Sequence, residues 1–493
     1  MILSIDQGTT GTTVFIFDKF GSVIAKSYNE FTQIYPQPSW VEHDAEEIWN
    51  ITLRTIEQAL EKSNLKATEL SCIGITNQRE TTVLWDKITG KPVHNAVVWQ
   101  CRRSSEICED IKSDNKADWI RQKTGLVVDA YFSATKIKWL LDNKPAIKKL
   151  ATENRLLFGT IDTWLIWKLS GGESHLTDHT NASRTMLYNI ENKCWDDELL
   201  DYFKFDKTLL PAIRSSSSNF GMTSKSAFYD AQIPISGVAG DQQAALFGRQ
   251  CVALGQVKNT YGTGCFLLMY LGDKLQISDN GLLTTIACDK NGEPVYALEG
   301  SVFNAGAAVQ WLRDELAIIE SAEESDAIAQ SIDDTQNVYL VPAFTGLGAP
   351  YWDMQARGIL TGLTRGSGRK EIIRATLESI AYQTKDVIDL MEKESGIKID
   401  LLKVDGGACK NNFLMQFQAD ILNTTIHRPY MVESTAIGAA LLAGIGAGLW
   451  KPDHLPQSLL ETQSIFQSNM ELPDRCNKLH GWKAAIKQAR CKL

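Results

Sequence analysis

Two segments in opposite halves of the chain share a form that few folds accommodate: an apolar strand, a turn built from Gly and Thr, and a second apolar strand leaving it. The first is Ile2-Leu-Ser-Ile-Asp-Gln-Gly-Thr-Thr-Gly-Thr-Thr-Val-Phe-Ile-Phe17, the second Gln256-Val-Lys-Asn-Thr-Tyr-Gly-Thr-Gly-Cys-Phe-Leu-Leu-Met-Tyr270. Gly in such a turn lets backbone N–H groups approach an anion closely, and the hydroxyls of Thr9, Thr10 and Thr263 add donors without bulk. Asp6, at the carboxyl end of its strand, can hold a divalent cation or its water shell. An ordinary Gly/Thr hairpin has the same composition, and the first segment by itself does not separate the two readings. A chain with two of them can clamp one polyphosphate from both sides. Later, Ile397 to Val404 reads as a strand ending in Asp405-Gly406-Gly407-Ala408, with a helix from about Asn411 to Leu422. This is the pattern of a nucleoside site at a strand-to-helix turn.

At 493 residues the chain divides into at least two domains, because single cores stop growing well short of this length. The boundary is placed near Gly248 to Gly255, giving halves 1–250 and 251–493 that face each other across a cleft. A net charge of −9 excludes the clustered cationic footprint of a nucleic-acid binder. The uncharged stretch from Ala436 to Trp450 is shorter than the roughly 20 residues a membrane helix needs, and its four glycines suit a closely packed buried helix. The opening residues lack the charge and apolar run of a signal peptide, so the expected location is the cytoplasm. The scattered cysteines form no disulfide framework and no zinc spacing, and no His or Cys cluster competes as a metal site. Ile373, Leu377, Ile380, Val387, Ile388 and Met391 recur at helical spacing, the stripe of a core helix. Arg214 to Gly221 is polar and rich in Ser, which reads as an exposed loop.

Further strings narrow the family. Asn77-Gln-Arg-Glu-Thr-Thr-Val-Leu-Trp-Asp86, Asn95-Ala-Val-Val-Trp-Gln-Cys-Arg-Arg103, Gly159-Thr-Ile-Asp-Thr-Trp164, Gly240-Asp-Gln-Gln243 and Ala343-Phe-Thr-Gly-Leu-Gly-Ala-Pro-Tyr-Trp352 resemble the glycerol kinases, within the carbohydrate kinases of the actin-like ATPase superfamily. The resemblance runs from Met1 to about Trp482. It implies an α/β chain of two actin-like, ribonuclease H-like domains closing over ATP, Mg²⁺ and glycerol, and a homo-oligomer, dimer or tetramer.

Asp241 follows an apolar run from Ile233 to Ala239 and precedes a helix starting near Gln242, at the end of a strand where ligand-facing residues of α/β sheets collect. Phosphoryl transfer to an alcohol needs a carboxylate that accepts the hydroxyl proton. The local sequence favours an Asp that caps the following helix, whereas the resemblance assigns Asp241 as the base. Arg79 and Glu80 lie between strands around Cys72 to Thr76 and Thr81 to Trp85, in what reads as a hairpin turn. The resemblance places them in the polyol site, with Arg donating to and Glu accepting from neighbouring hydroxyls. It adds Tyr131 and Gln242 as hydroxyl contacts and Trp99 and Phe266 as apolar walls. On the nucleotide side it assigns Thr9, Thr10 and Thr263 to the phosphates and Gly306, Gln310, Gly407 and Asn411 to the nucleoside. Mg²⁺ is then carried by the phosphates with Asp6 and Asp241.

Two departures stand out. Glycerol kinases usually carry Arg where this chain has Thr13, which brings in a kinase for another polyol or ketose as the nearest alternative. Relatives inhibited by fructose 1,6-bisphosphate carry a Gly-Gly-Thr-Arg loop before the Ile-Pro-Ile-Ser strand, and here the stretch ends Asp230-Ala231-Gln232. An ATP-driven binding protein or chaperone of the same fold is a rival of a different class. It gives no reason for Arg79, Glu80 and Trp99.

Overall fold

The computed structural model describes residues 1–491. Its two large sheets repeat one plan. In the N-terminal sheet the strands Ile2–Gln7, Gly11–Phe17 and Val23–Glu30 form an antiparallel meander. Cys72–Asn77 then joins parallel to the first strand, and Ile235–Gly240 parallel to that. In the C-terminal sheet Val257–Tyr261, Cys265–Gly272 and Pro294–Val302 make the same meander. Leu401–Asp405 joins parallel to the first of these, and Thr425–Pro429 parallel to Leu401–Asp405. Leu283–Cys288 and Thr462–Phe466 extend the second sheet at its two edges. Each Gly/Thr hairpin therefore opens its sheet. The first strand of each pairs on both sides, so the turn that follows is held rigidly at the sheet's carboxyl edge.

The strands read as nearly continuous apolar runs because both faces are covered. Leu3, Ile5, Val14 and Ile16 pack in one core with Ile48 and Ile56 of the helix Ala45–Ser63, whose first turn is capped by Asp44. The alternate residues Ile2, Phe15 and Phe17 pack with Ile437, Ala440 and Leu441 of the helix Ser434–Gly446. That helix belongs to the second half by chain position and to the first by packing. Its Ala and Gly content explains how: a Cβ on Gly438 would stand 1.8 Å from the Ala244 carbonyl oxygen, and one on Gly74 2.2 Å from that of Ala439. The backbones meet with no room for side chains. In the C-terminal half the helix Arg369–Ser395 buries Ile373, Leu377, Ile380, Val387, Ile388 and Met391, the expected stripe.

Four local expectations are corrected. The third motif's strand starts at Leu401, so Ile397 to Asp400 lie outside it. Arg79 and Glu80 do not sit in a hairpin turn, because Cys72–Asn77 pairs within the N-terminal sheet while Val83–Asp86 pairs with Leu156–Gly159. They occupy a link between two sheets, and Glu80 turns the chain at φ +60°. The Arg214 to Gly221 stretch is not an exposed loop. Ser216 and Phe220 are buried, Ser216 donates to Asp178 at 2.7 Å, and Ser217 donates to the Leu442 carbonyl at 2.8 Å, which ties the stretch to the helix Ser434–Gly446. Asp241 does not cap its helix: Gly240 holds the cap position, and Asp241 is the first residue of Asp241–Gly248.

Candidate active site

The two hairpin turns are closed by backbone bonds, from the Gly8 N–H to the Gly11 carbonyl at 3.0 Å and from the Gly262 N–H to the Gly264 carbonyl at 2.9 Å. Thr10 and Thr263 are left exposed at the tips. Thr9 is half-buried, and its hydroxyl accepts the Trp99 indole N–H at 2.9 Å. The helix Gly306–Asp314 starts directly on the second turn, with the Gly306 N–H bonded to the Gly262 carbonyl at 3.0 Å. A Cβ at residue 306 would lie 2.6 Å from that carbonyl oxygen, so only glycine allows the approach. Gln310 lies one turn along this helix and is exposed. At the third motif Gly406, φ +85°, rests against the end of the Val257–Tyr261 strand, while a Cβ on Gly407 would meet nothing within 4 Å. Gly407 thus borders open space beside the second hairpin's sheet. Asn411 has a structural task as well: its side-chain oxygen accepts from the Leu414 N–H at 2.8 Å and caps the helix Asn412–Leu422.

Five side chains of alternating charge, four from the N-terminal half and Glu299 from the C-terminal sheet, form a chain in the order Asp241, Arg79, Glu299, Arg184, Glu80. Arg79, 2% exposed, links Asp241 to Glu299 at its centre, with Nε 3.1 Å from Asp241 Oδ1, Nη1 2.5 Å from Glu299 Oε2, and Nη2 3.0 Å from Glu299 Oε1. Its Nη1 also donates to Gln243 at 3.3 Å. Glu299 Oε1 accepts from Arg184 as well, at 3.0 Å, and Arg184 Nε donates to Glu80 Oε1 at 2.6 Å. One N–H of Arg79 Nη2 remains uncommitted. Among the described residues no hydrogen bond reaches Asp241 Oδ2 or Glu80 Oε2. The free oxygens and the free N–H are two acceptors and one donor left without a protein partner among the described residues. Tyr131 and Trp99 meet edge to face beside them, ring centroids 5.5 Å apart. Gln242 accepts from Lys258, which also donates to Thr260 and to the Phe266 carbonyl. Lys258 and Phe266, like Glu299, come from the C-terminal sheet, so the cluster draws on both halves.

Charge and burial compete here. Burial raises the Asp241 carboxyl above its ordinary range, against the pull of Arg79 and Lys258. Burial likewise pushes Asp6 up to about 7, with the Asp241 and Glu433 charges adding to it and a Thr435 hydrogen bond opposing it. Burial works against the charge of Glu299 too, but Arg184 and Arg79 outweigh it and hold this carboxyl down at about 2. Burial lowers the Lys258 ammonium to about 8 and raises the Tyr131 phenol, which therefore stays protonated as a donor. Two carboxylates within reach of each other's charge, with no group of three or more His, Cys, Asp or Glu side chains among the described residues, do not make a dedicated metal cage. They fit Mg²⁺, which keeps several waters and is held largely by substrate phosphates.

Sequence reasoning missed Arg184, Gln243, Lys258 and Glu299. Lys258 and Glu299 carried a readable signal, since each is a lone charge inside an otherwise buried strand. Arg184 and Gln243 carried none, because their partners are far away in the chain.

Models of the FGGY family of carbohydrate kinases match this chain over residues 1–248, for the N-terminal domain, and 257–447, for the C-terminal domain. A glycerol kinase of Desulforamulus reducens is 55% identical over 486 residues, covering 98% of this chain and 97% of that protein. The chain belongs to the glycerol kinases of the FGGY family. Glycerol kinase 2 of Thermotoga maritima is 53% identical over 488 residues, 99% of this chain and 98% of that one. Among solved structures, the glycerol kinase of Plasmodium falciparum with ADP superposes with a TM-score of 0.92 at 38% identity, over 100% of this chain and 98% of that one. The last match bears out the actin-like, two-domain α/β expectation.

Proposed function

We propose that this protein phosphorylates glycerol with ATP, giving sn-glycerol 3-phosphate and ADP. The observation that carries the proposal is the free Oδ2 of Asp241, whose other oxygen is fixed by Arg79 and by the Gln242 N–H at 2.7 Å. It stands beside a polyol-sized set of donors and acceptors. In this reading Asp241 takes the proton of a terminal hydroxyl while that oxygen attacks the γ-phosphate. Arg79 and Glu80 hold neighbouring hydroxyls through the N–H and the oxygen left free, Tyr131 and Gln242 complete the polar contacts, and Trp99 and Phe266 border the carbon chain. Thr9, Thr10 and Thr263 face the phosphates; Gly306, Gln310, Gly407 and Asn411 border the nucleoside. Asp6 and Asp241 would help hold Mg²⁺ carried by the phosphates, and the ion would supply offsetting charge there.

The same reading assigns residues 1–250 to the half carrying most of the polyol site and 251–493 to the half carrying most of the nucleotide site, with the helix Ser434–Gly446 crossing back. It places a homo-oligomer in the cytoplasm. No helix among the described residues is long and apolar enough to cross a membrane. Coupled detection of ADP with purified protein tests the reaction: ADP forms mainly when glycerol is added, and the product is glycerol 3-phosphate. ADP release at the same rate without glycerol supports the ATP-driven binding protein instead.

A further inference from the structure

The charge chain contains two members that touch neither end of the polar bracket's free groups, yet determine where those groups point. Glu299 comes from the Pro294–Val302 strand of the C-terminal sheet, while Arg79, Glu80, Arg184 and Asp241 all come from the N-terminal half. Its Oε1 is shared by Nη2 of Arg79 and Nη2 of Arg184, and Arg184 in turn grips Glu80. Both members of the bracket are thus fixed by one carboxylate of the opposite half, Arg79 directly and Glu80 through Arg184. Glu299 and Arg184 are each 0% exposed on their side chains.

Burying such charges is not an economical route to stability, since desolvation cancels much of their attraction and apolar replacements are often as stable. Orientation is the property that apolar residues do not supply. Arg79 has two other carboxylates in range: Asp241 Oδ1 at 3.1 Å from Nε and Glu80 Oε1 at 3.8 Å. Without Glu299 on its Nη1/Nη2 edge, its forked face is free to turn onto Asp241 and cover both oxygens of the proton acceptor. With Glu299 in place only Nε reaches Asp241. Arg184 does the equivalent for Glu80, taking Oε1 and leaving Oε2, while its guanidinium lies 5.7 Å from the centre of the Tyr131 ring and 5.3 Å from that of Phe132.

We propose that Glu299 and Arg184 are positioning residues of the polyol site, and that Glu299 makes the site's polar geometry depend on the nucleotide-side half of the molecule. The proposal rests on the reading of Arg79 and Glu80 as the polyol bracket. Glu299→Gln keeps the shape but sets an amide N–H against guanidinium N–H groups. A charged hydrogen bond lost from such a site corresponds to roughly 10- to 100-fold. The expected result is a fall of that size in kcat/KM for glycerol, a weaker glycerol titration by calorimetry without nucleotide, and an ATP KM within about 3-fold of the parent. The preference for glycerol over propane-1,2-diol should shrink in the same variant, a change that a purely structural role would not produce. Glu299→Asp should recover part of the loss. Arg184→Lys keeps the charge but loses the fork that spans two carboxylates, and serves if Glu299→Gln does not fold. Arg79→Ala is the control. If Arg79→Ala is crippled while the Glu299 and Arg184 variants keep parental glycerol kinetics and selectivity, the positioning proposal is overturned. A loss of thermal stability with equal losses toward ATP and glycerol overturns it too. A harmless Arg79→Ala overturns the bracket reading itself.

Discussion

Replacing Asp241 by asparagine preserves the side chain's size and removes its ability to take a proton. The Oδ1 contacts constrain the outcome: the Gln242 N–H donates to it at 2.7 Å, and the cationic Arg79 Nε at 3.1 Å favours an oxygen over an NH₂ group there. The asparagine oxygen therefore takes that place and its NH₂ group points where Oδ2 was, toward the substrate hydroxyl. A donor faces a donor, and no base remains. Loss of general-base catalysis is typically about 10²- to 10⁴-fold, or roughly 3–5 kcal/mol in the barrier. The glycerol KM should move little beside this, since Arg79, Glu80 and Tyr131 are untouched. Stability should move the other way. Burial raises the Asp241 carboxyl, so its contribution to stability is present below the ordinary carboxylate range and is lost as pH rises through the raised value. The Asn variant should accordingly melt higher than the parent at pH 8 and lose that advantage on acidification. Steady-state kinetics and thermal melts at pH 5 and pH 8 read both effects. Turnover of glycerol within about 10-fold of the parent would falsify the assignment of Asp241 as base.

Two further predictions concern Thr13 and the Asp230-Ala231-Gln232 stretch. Thr13 lies across from Asp6 on one side and Tyr28 on the other, with Lys26 two residues along the same strand as Tyr28 and paired to Glu433 at 2.6 Å. Thr13→Arg is expected to lower the ATP KM or raise turnover; an unchanged or worse enzyme shows that another group, such as Lys26, already fills the position or that the site has no room. At Asp230-Ala231-Gln232 the chain makes a tight turn, Tyr229 and Asp230 both at positive φ and the Tyr229 hydroxyl donating to the Leu53 carbonyl at 2.6 Å. With no Arg and no paired Gly there, millimolar fructose 1,6-bisphosphate should inhibit little, and strong inhibition in the coupled assay contradicts this.

The parts of the molecule legible in the sequence are those whose cause is local. A Gly/Thr turn after an apolar strand needs no distant partner to be recognised, so Thr9, Thr10, Thr263 and Asp6 were placed on their hairpins from the chain alone, and the stripe on the helix Arg369–Ser395 followed from its period. The Ala and Gly content of Ser434–Gly446 announced close packing but not the sheet it packs on, which depends on how the second half folds back over the first. Arg79 and Glu80 read as lying in a hairpin turn because nothing in the neighbouring sequence announces that they are buried. Their burial depends on Glu299, 220 positions away from Arg79, and on Arg184, 104 positions away from Glu80. The Ser-rich stretch after Arg214 misled for a related reason: its hydroxyls find buried acceptors on Asp178 and Leu442 that local composition does not reveal.

The central claim is that the polar bracket selects a three-carbon polyol. A buried site built to hydrogen-bond hydroxyls rejects analogues that lack them, because its own groups are then left unpaired. Trp99 and Phe266 should turn away longer chains. The most direct measurement is kcat/KM across glycerol, propane-1,2-diol, erythritol, dihydroxyacetone and xylulose with ADP detection. Glycerol should exceed both propane-1,2-diol and xylulose, and Arg79→Ala should reduce the value mainly for glycerol. A panel in which xylulose or erythritol clearly outperforms glycerol contradicts the assignment of substrate while leaving a carbohydrate kinase in place.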